Sequence, residues 1–187
     1  MEEWIRKNRK EVFQGHRVKV YEDELVRPDG ETVFYDLVEN RDGAAILLVD
    51  ENENLIFVKQ YRNVLDSETM EIPAGSLDPG DTDFLVTALR EAEEETGFVP
   101  QKTDYITTML ASSGLFTEKT AVYIGTELRP GKIHRDPDEF INVIHVPLEK
   151  ACQMIYRGEL CDAKTILAIL AYRDMKTKKI VEHINKI

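Results

Sequence analysis

The segment from Asp83 to Thr96 limits the fold of this chain more than any other, because apolar residues recur in it at helical spacing while glutamates crowd its second half. At about 100° per residue, one stripe of the helix is apolar and consists of Leu85, Ala88, Leu89 and Ala92. Glu91, Glu94 and Glu95 share a different face, where their carboxylates converge. Gly97 is typical of a helix C-cap, and the preceding "PGDTD" offers a turn and N-capping groups. The sequence therefore predicts an amphipathic helix with an acidic face.

So much like charge on one face needs an explanation, since carboxylates three or four residues apart destabilise a helix by about 0.2–0.5 kcal/mol per pair. A solvated acidic face is one interpretation. A hard divalent cation is the other, because Mg²⁺ takes oxygen ligands and joins a few carboxylates to substrate phosphates. Arg90 precedes Glu94 by four residues, which is the less favourable orientation for an intrahelical pair, and no lysine balances the face. The residues alone leave both interpretations open.

The net charge of −11 narrows the class of partner, because binding to nucleic acid or to an anionic membrane needs a positive field. The longest apolar run, Ala44 to Val49, is far shorter than the roughly 18 residues of a membrane helix, and the acidic start does not resemble a signal peptide. Cys152 and Cys161 lack metal or redox spacing, which predicts reduced, structural thiols. We expect a cytoplasmic protein of one main domain, since 187 residues with 42% hydrophobic content can bury a substantial core.

Short β-type runs separated by turn signals fill much of the chain. They are HRVKVYEDELV, TVFYDLV, AAILLV, LIFVKQY, DYITTMLA, KTAVYIGTEL and FINVIHVP. Helical spacing occurs at 83–96, 148–157 and 162–175. The pattern predicts an α/β (α+β) fold with central strands between helices. The first forty residues are expected to form a separate hairpin or small sheet before a core that begins at Gly43.

The stretch GSLDPGDTDFLVTALREAEEETGF resembles the Nudix box, in which glycine and glutamate precede an Arg-Glu pair, two further glutamates and a glycine. Its second half, Arg90 to Phe98, matches at every fixed position. The first half departs from the pattern, because Asp81 occupies the glutamate position counted from Gly75 and one extra residue lies before Arg90. The chain is therefore identified as a member of the Nudix hydrolases.

The flanking segments narrow the resemblance to the ADP-ribose pyrophosphatase branch, over roughly residues 10 to 175. They are VKQYR, EIPAG, ASSGLFTEK, DPDEF and DAKT. In the third segment, Ser-Ser-Gly stands where many relatives have Ser-Pro-Gly, which loosens a loop that faces the substrate. The resemblance implies a Nudix fold, with a mixed β-sheet sandwiched between helices in residues 43–187. It also implies an N-terminal β segment, 1–42, that forms a homodimer and helps to build the partner's substrate pocket.

The resemblance further implies a Mg²⁺ site, with Mn²⁺ as an alternative cation. Its ligands would be the Ala74 carbonyl, Glu91, Glu94, Glu95 and Glu139. Glu139, in the acidic loop RDPDEF, matches the catalytic base or a further metal ligand, and Asp138 is the second choice. Glu94 would be a catalytic residue that holds a metal or its bound water. Arg90 would orient the glutamates.

Substrate-binding positions follow from the same resemblance and comprise Arg62, Ser76, Gly114 and Glu118, with Arg41 as a weaker candidate. Phe34 and Tyr35 could stack on an adenine, although alternating aromatic residues in a strand are more often part of a core. The implied reaction is hydrolysis of ADP-ribose to AMP and ribose 5-phosphate.

Two alternatives stay open at this point. One is a Nudix hydrolase of another nucleoside diphosphate sugar, such as GDP-mannose or UDP-glucose. The other is a non-catalytic sensor of nucleotide sugars, against which the intact set of Glu91, Glu94 and Glu95 argues.

Overall fold

A computed structural model describes residues 3–134 and 140–184, and side chains in the last helix as far as residue 178. The chain forms two compact units. The first contains Met1–Asp42 together with Leu110–Thr120, and the second contains Gly43–Met109 together with Ala121–Ile187. Residues 110–120 therefore belong to the same unit as the N-terminal segment, although they are distant from it in sequence.

The first unit is built on an antiparallel sheet of three strands, in the order β1 (Ile5–Gln14), β2 (Lys19–Val26) and β3 (Thr32–Glu39). Strand β3 also exchanges backbone hydrogen bonds with the later segment, since Val38 donates to the Leu115 carbonyl over 2.8 Å and accepts from Thr117 over 3.1 Å. The small N-terminal sheet predicted from sequence is thus present.

The faces of this sheet are largely open. Phe34 is 62% exposed and Tyr35 is 51% exposed, so the interpretation of these residues as core is wrong. Tyr35 packs edge-to-face on Trp4, with ring centroids 6.4 Å apart. All ten residues of β1 are exposed, which leaves apolar side chains such as Phe13 uncovered within the unit.

In its described residues, the second unit contains a seven-stranded sheet and three helices. Its strands are β4 (Gly43–Val49), β5 (Asn54–Arg62), β6 (Ser67–Glu71), β7 (Ala74–Ser76), β8 (Phe98–Leu110), β9 (Lys119–Pro130) and β10 (Asn142–Pro147), of which β8 and β9 extend at one end into residues of the first unit. Its helices are α1 (Phe84–Thr96), α2 (Leu148–Tyr156) and α3 (Ala163–Ile184). The strands run in the order β10-β5-β4-β9-β8, with β6 paired to β5 and β7 paired to β4.

Strand β4 shows how the sheet is covered on both sides. All seven of its residues are buried, and alternate side chains point to opposite faces. Ile46 and its neighbours two residues away pack with Ala88 and Ala92 of α1. Leu47 and its neighbours pack with α2 and α3. The predicted mixed sheet between helices is confirmed, and burial of each such aliphatic side chain contributes about 1.5–3 kcal/mol to folding.

The three predicted helices are present, and α3 extends beyond the predicted end at 175. Three strands escaped prediction. Strand β1 is rich in charge, whereas β6 and β7 have five and three residues and no alternation of apolar side chains. Among the described residues, no helix is long and apolar enough to cross a membrane.

Candidate active site

Helix α1 begins and ends at the caps that its sequence predicts. The Asp83 carboxylate accepts the Leu85 N–H over 2.9 Å at the N-terminus. Gly97 adopts a left-handed φ of 75° at the C-terminus and donates its N–H to the Glu93 carbonyl over 2.8 Å. Asp81 lies before the helix and is exposed. The caps fix the helical register and hence the direction in which each glutamate points.

Glu95 is the most deeply placed of the helix carboxylates, because only 2% of the residue is exposed. Its Oε2 accepts the backbone N–H of Ala74, at the start of β7, over 3.2 Å. A buried carboxylate is costly unless hydrogen bonds or charges compensate it. Glu95 therefore belongs to the joint between α1 and β7 as well as to the acidic face.

Glu91 lies against the backbone of Gly75. A Cβ atom added to Gly75 would stand 1.9 Å from Glu91 Oε1 and 2.2 Å from its carboxyl carbon. Only a residue without a side chain allows the carboxylate to approach this closely. The glycine of the EIPAG segment thus makes room for the first glutamate of the acidic face.

Arg90 links Glu94, the third carboxylate of the acidic face, to Glu91. Its Nη1 lies 2.7 Å from Glu94 Oε2, and its Nη2 lies 2.8 Å from Glu91 Oε1. Nη2 also donates to the Ser76 carbonyl over 3.3 Å. Burial lowers the pKa of the guanidinium, but Glu91 and Glu94 outweigh that effect and raise it. The i,i+4 pair forms in spite of its less favourable orientation, because Arg90 contacts two glutamates and a carbonyl at once.

The three glutamates and the Ala74 carbonyl would bind a metal through oxygen atoms only, which is the ligand chemistry of a hard divalent cation. The Glu91 carboxylate lies against Gly75 and the Glu95 carboxylate accepts the Ala74 N–H, so the two reach adjacent residues of β7, one of which is the predicted Ala74 ligand. Over the described part of the chain, no three His, Cys, Asp or Glu side chains are already arranged around a common metal position. Arg90 occupies Glu91 and Glu94 instead. These oxygen ligands fit a divalent cation. To bind one, Glu91 and Glu94 would have to give up their ion pairs with Arg90.

Arg62, a predicted substrate-binding residue, ends strand β5 and forms a bidentate ion pair with Glu71. Nε donates to Oε1 and Nη2 donates to Oε2, each over 2.7 Å. The hydrogen bond with Glu71 raises the pKa of Arg62, burial opposes the shift, and the charges of Glu71 and Glu95 add to it. Arg62 is therefore held by the first residue of the EIPAG segment, whose Ala74 and Gly75 contact the acidic helix.

Glu71 was not assigned a role from sequence, although it begins the EIPAG segment. Its side chain is 6% exposed, and its Oε2 also accepts from Lys164 Nζ over 2.7 Å. Burial raises the pKa of Glu71, but the hydrogen bond from Arg62 and the charge of Lys164 overcome this and lower the pKa to about 2. A signal was present in the sequence, since a charged residue directly before an apolar stretch needs a partner if it is buried.

Three of the other predicted substrate residues, Arg41, Gly114 and Glu118, fall in the first unit. Glu118 accepts from Asn40 Nδ2 over 2.6 Å, and Asn40 Oδ1 accepts the N–H of Arg41 over 2.9 Å. Gly114 lies in the loop between β8 and β9, where an added Cβ would meet nothing within 4 Å. The structure therefore groups Arg41, Gly114 and Glu118 in one unit, and Arg62 and Ser76 in the other.

Glu139 and Asp138 lie outside the described residues, so their predicted roles stay predictions. The chain that leads to them is held to α1. Lys132 donates its N–H to Glu93 Oε1 over 3.0 Å, and His134 donates to the Glu94 carbonyl over 3.3 Å.

Comparison with known proteins agrees with this architecture. The sequence profile of the NUDIX domain matches residues 39–168, which is most of the chain. The chain therefore belongs to the Nudix family of pyrophosphohydrolases, as its sequence motifs predicted.

Curated relatives include an ADP-ribose pyrophosphatase of Bacillus subtilis, 36% identical over 163 residues that cover 86% of this chain and 88% of that protein. A methanol dehydrogenase activator of Bacillus methanolicus is 32% identical over 161 residues, which cover 85% of this chain and 86% of that protein. Among solved structures, an ADP compounds hydrolase matches with a TM-score of 0.85 at 19% identity, covering 96% of this chain and 97% of that one. The structural likeness confirms the fold.

The contact between Gly75 and Glu91 yields a prediction. Gly75→Ala should raise the divalent-cation concentration needed for half-maximal hydrolysis by about tenfold, because the new methyl group displaces the Glu91 carboxylate. The free energy of unfolding should change by less than about 1 kcal/mol, since only the end of a flexible side chain has to move. Mg²⁺ titration of turnover and urea unfolding measure the two effects. An unchanged metal dependence in the folded variant would contradict the role of this contact.

Proposed function

We propose that this protein hydrolyses the diphosphate bond of ADP-ribose, in a Mg²⁺-dependent reaction that yields AMP and ribose 5-phosphate. The observation that carries the proposal is the contact of Glu91 and Glu95 with residues 75 and 74, in the same short segment whose first residue, Glu71, holds Arg62. It combines an oxygen donor set for a cation with a guanidinium suited to an anionic substrate. The choice of ADP-ribose is supported by the similarity to the Bacillus subtilis ADP-ribose pyrophosphatase.

Each group has a proposed part in the reaction. Glu91, Glu95 and the Ala74 carbonyl would hold the cation, and Glu94 would be a further ligand or would hold a metal-bound water. When bound, the cation shields the phosphoryl oxygens and lowers the pKa of water. Water attacks one phosphorus atom, the bond from that phosphorus to the bridging oxygen breaks, and Glu139 accepts the proton of the water. When Glu91 and Glu94 turn from Arg90 to the cation, Arg90 would keep the Ser76 carbonyl as one of its partners.

Arg62 would contact the substrate through the part of its guanidinium that Glu71 does not use. Two of its donors are directed to Glu71, and an arginine side chain has five. Further contacts with the ribose and diphosphate are proposed for Ser76, Gly114 and Glu118, with Arg41.

We also propose that the enzyme is cytoplasmic.

We further propose that the protein is a homodimer formed through residues 1–42. Within its own unit, β1 is exposed along its whole length and carries Ile5, Val12 and Phe13 at about half exposure. An open strand with uncovered apolar side chains favours association, and a second copy of this chain would cover it in a closed assembly.

The substrate assignment predicts the outcome of a panel of nucleoside diphosphate sugars assayed with and without Mg²⁺. ADP-ribose should give the highest kcat/KM, with AMP and ribose 5-phosphate as products. Omission of divalent metal should abolish turnover of every member. A tenfold or greater preference for GDP-mannose or UDP-glucose would assign the protein to a different specificity, and binding of ADP-ribose without turnover would favour a sensor.

The metal-ligand assignment predicts a large effect at Glu95. Glu95→Gln should lower kcat by at least about 10²-fold, the scale of losing one key electrostatic group. The fold should survive, because the glutamine carbonyl can still accept the Ala74 N–H. Glu93→Gln is a matched control on the same helix, since its carbonyl can still accept from Lys132, and its turnover should stay close to that of the wild type. Near wild-type turnover of folded Glu95→Gln would remove Glu95 from the site.

The base assignment predicts that Glu139→Gln lowers kcat far more than it changes KM and flattens the acidic limb of the pH profile, because an acidic base titrates there. To test this assignment, kcat and KM are measured from pH 5 to 9 at Mg²⁺ concentrations that span about a tenfold range. If Glu139 is a metal ligand instead, added Mg²⁺ should recover part of the loss. Asp138→Asn is the comparison variant, and unchanged kinetics of Glu139→Gln at every Mg²⁺ concentration would eliminate both roles.

The assembly proposal predicts a mass of about two chains by light scattering at micromolar concentration. Phe13→Glu should shift this mass toward one chain, because a charge would be placed on the proposed contact surface. A wild-type mass of one chain would contradict the homodimer.

A further inference from the structure

The DAKT segment at the start of α3 is docked onto the strand that ends at Glu71. Asp162 accepts the Thr165 N–H over 3.0 Å and so caps the helix. Thr165 Oγ1 accepts the N–H of Ile72 over 2.9 Å. These two bonds bring the first turn of α3 beside the residue that holds Arg62.

Lys164 lies between two carboxylates at this joint. Its Nζ is 2.7 Å from Glu71 Oε2 and 2.8 Å from Asp162 Oδ1, and its side chain is 17% exposed. Glu71 ends strand β6, whereas Asp162 directly precedes α3. Lys164 therefore links the start of α3 to the end of β6. Paired charges at this depth need each other, because removal of one leaves the other poorly solvated.

Because Glu71 is held by Lys164, it in turn fixes the position of Arg62, with which it forms a bidentate ion pair. Thr69 Oγ1 donates to Glu71 Oε1 over 2.6 Å, and Lys164 Nζ donates to Oε2, so each oxygen that accepts from Arg62 is also held by a second donor. A bidentate carboxylate sets the plane of an arginine as well as its position. The side chain of Glu71 is 6% exposed and that of Arg62 is 37% exposed. Glu71 is therefore the buried partner of this pair, and Arg62 is the partner that solvent reaches.

A purely structural role for Lys164 would be to fasten α3, but the hydrogen bond from the Ile72 N–H to Thr165, whose hydroxyl donates to Asp162, already does so without it. What the lysine adds is charge balance. Arg62 and Lys164 offset Glu71 and Asp162, which makes the group of four neutral. Without the lysine the group would carry one negative charge beside a residue that has to attract an anion.

We propose that Lys164 is a positioning residue for substrate recognition, which acts by holding Glu71 so that Arg62 presents a fixed guanidinium to the diphosphate or base of the substrate. The inference rests on the proposed function of Arg62 as a substrate contact. It assigns Lys164 and Asp162 to the recognition apparatus although neither is placed on the substrate.

The test is a double-mutant cycle on steady-state kinetics with ADP-ribose. Lys164→Met should raise KM by about tenfold with kcat within about twofold, because a contact made equally in ground and transition states is weakened. Lys164→Arg should recover most of the loss. Lys178→Met, an exposed lysine of the same helix, is the matched control and should behave as the wild type. In an Arg62→Ala background, Lys164→Met should cost little more, because the two residues act through one contact.

Additive effects of Lys164→Met and Arg62→Ala would overturn the inference, as would an unchanged KM in folded Lys164→Met. A second readout does not depend on the substrate. The ¹H–¹⁵N resonance of Arg62 Nε should shift and exchange faster with solvent in Lys164→Met but not in Lys178→Met. If the wild type does not turn over ADP-ribose, the proposed function fails and the resonance decides this inference alone, with an unchanged signal counting against it.

Discussion

The joint between α1 and β7 is the constraint on which the rest of the site depends. Glu95, 2% exposed, accepts the Ala74 N–H, while Glu91 lies on Gly75, where no side chain intervenes. These two contacts fix both the rotation of the helix and its height along the strand, because they are one helical turn apart. The apolar contacts of Ala88 and Ala92 with β4 hold the same helix against the sheet to which β7 belongs. The core thus determines where the carboxylates converge.

The segment from Glu71 to Ser76 connects this joint to the rest of the chemistry. Its beginning pairs with Arg62 and Lys164, and its end meets the glutamates and Arg90. The residues proposed for substrate recognition and for metal binding are therefore held by the two ends of one short stretch. A change in the register of this stretch would move both at once, which explains why so many charged residues from distant positions are fastened to it.

Sequence reasoning recovered the parts of the fold that depend on local periodicity, such as α1 with its caps and the buried strand β4. It missed β1, because that strand is charged and exposed and owes its form to pairing with β2. It gave Glu71 no role for a related reason, since Lys164 is 93 residues away and only the fold brings them together. The expectation that Phe34 is core was wrong because the face that carries it is open within its unit. The family motifs supplied the candidate ligands, whereas the hydrogen bonds that orient them had no local signature.

A crystal structure of the protein with Mn²⁺ and a non-hydrolysable ADP-ribose analogue would test the central claim most directly, because anomalous scattering locates the metal without reference to activity. We expect a peak about 2–2.5 Å from carboxylate oxygens of both Glu91 and Glu95, with the Ala74 carbonyl nearby and Arg90 drawn away from Glu91. A cation bound elsewhere, with Glu91 still paired to Arg90 and Glu95 bonded only to the Ala74 N–H, would contradict it.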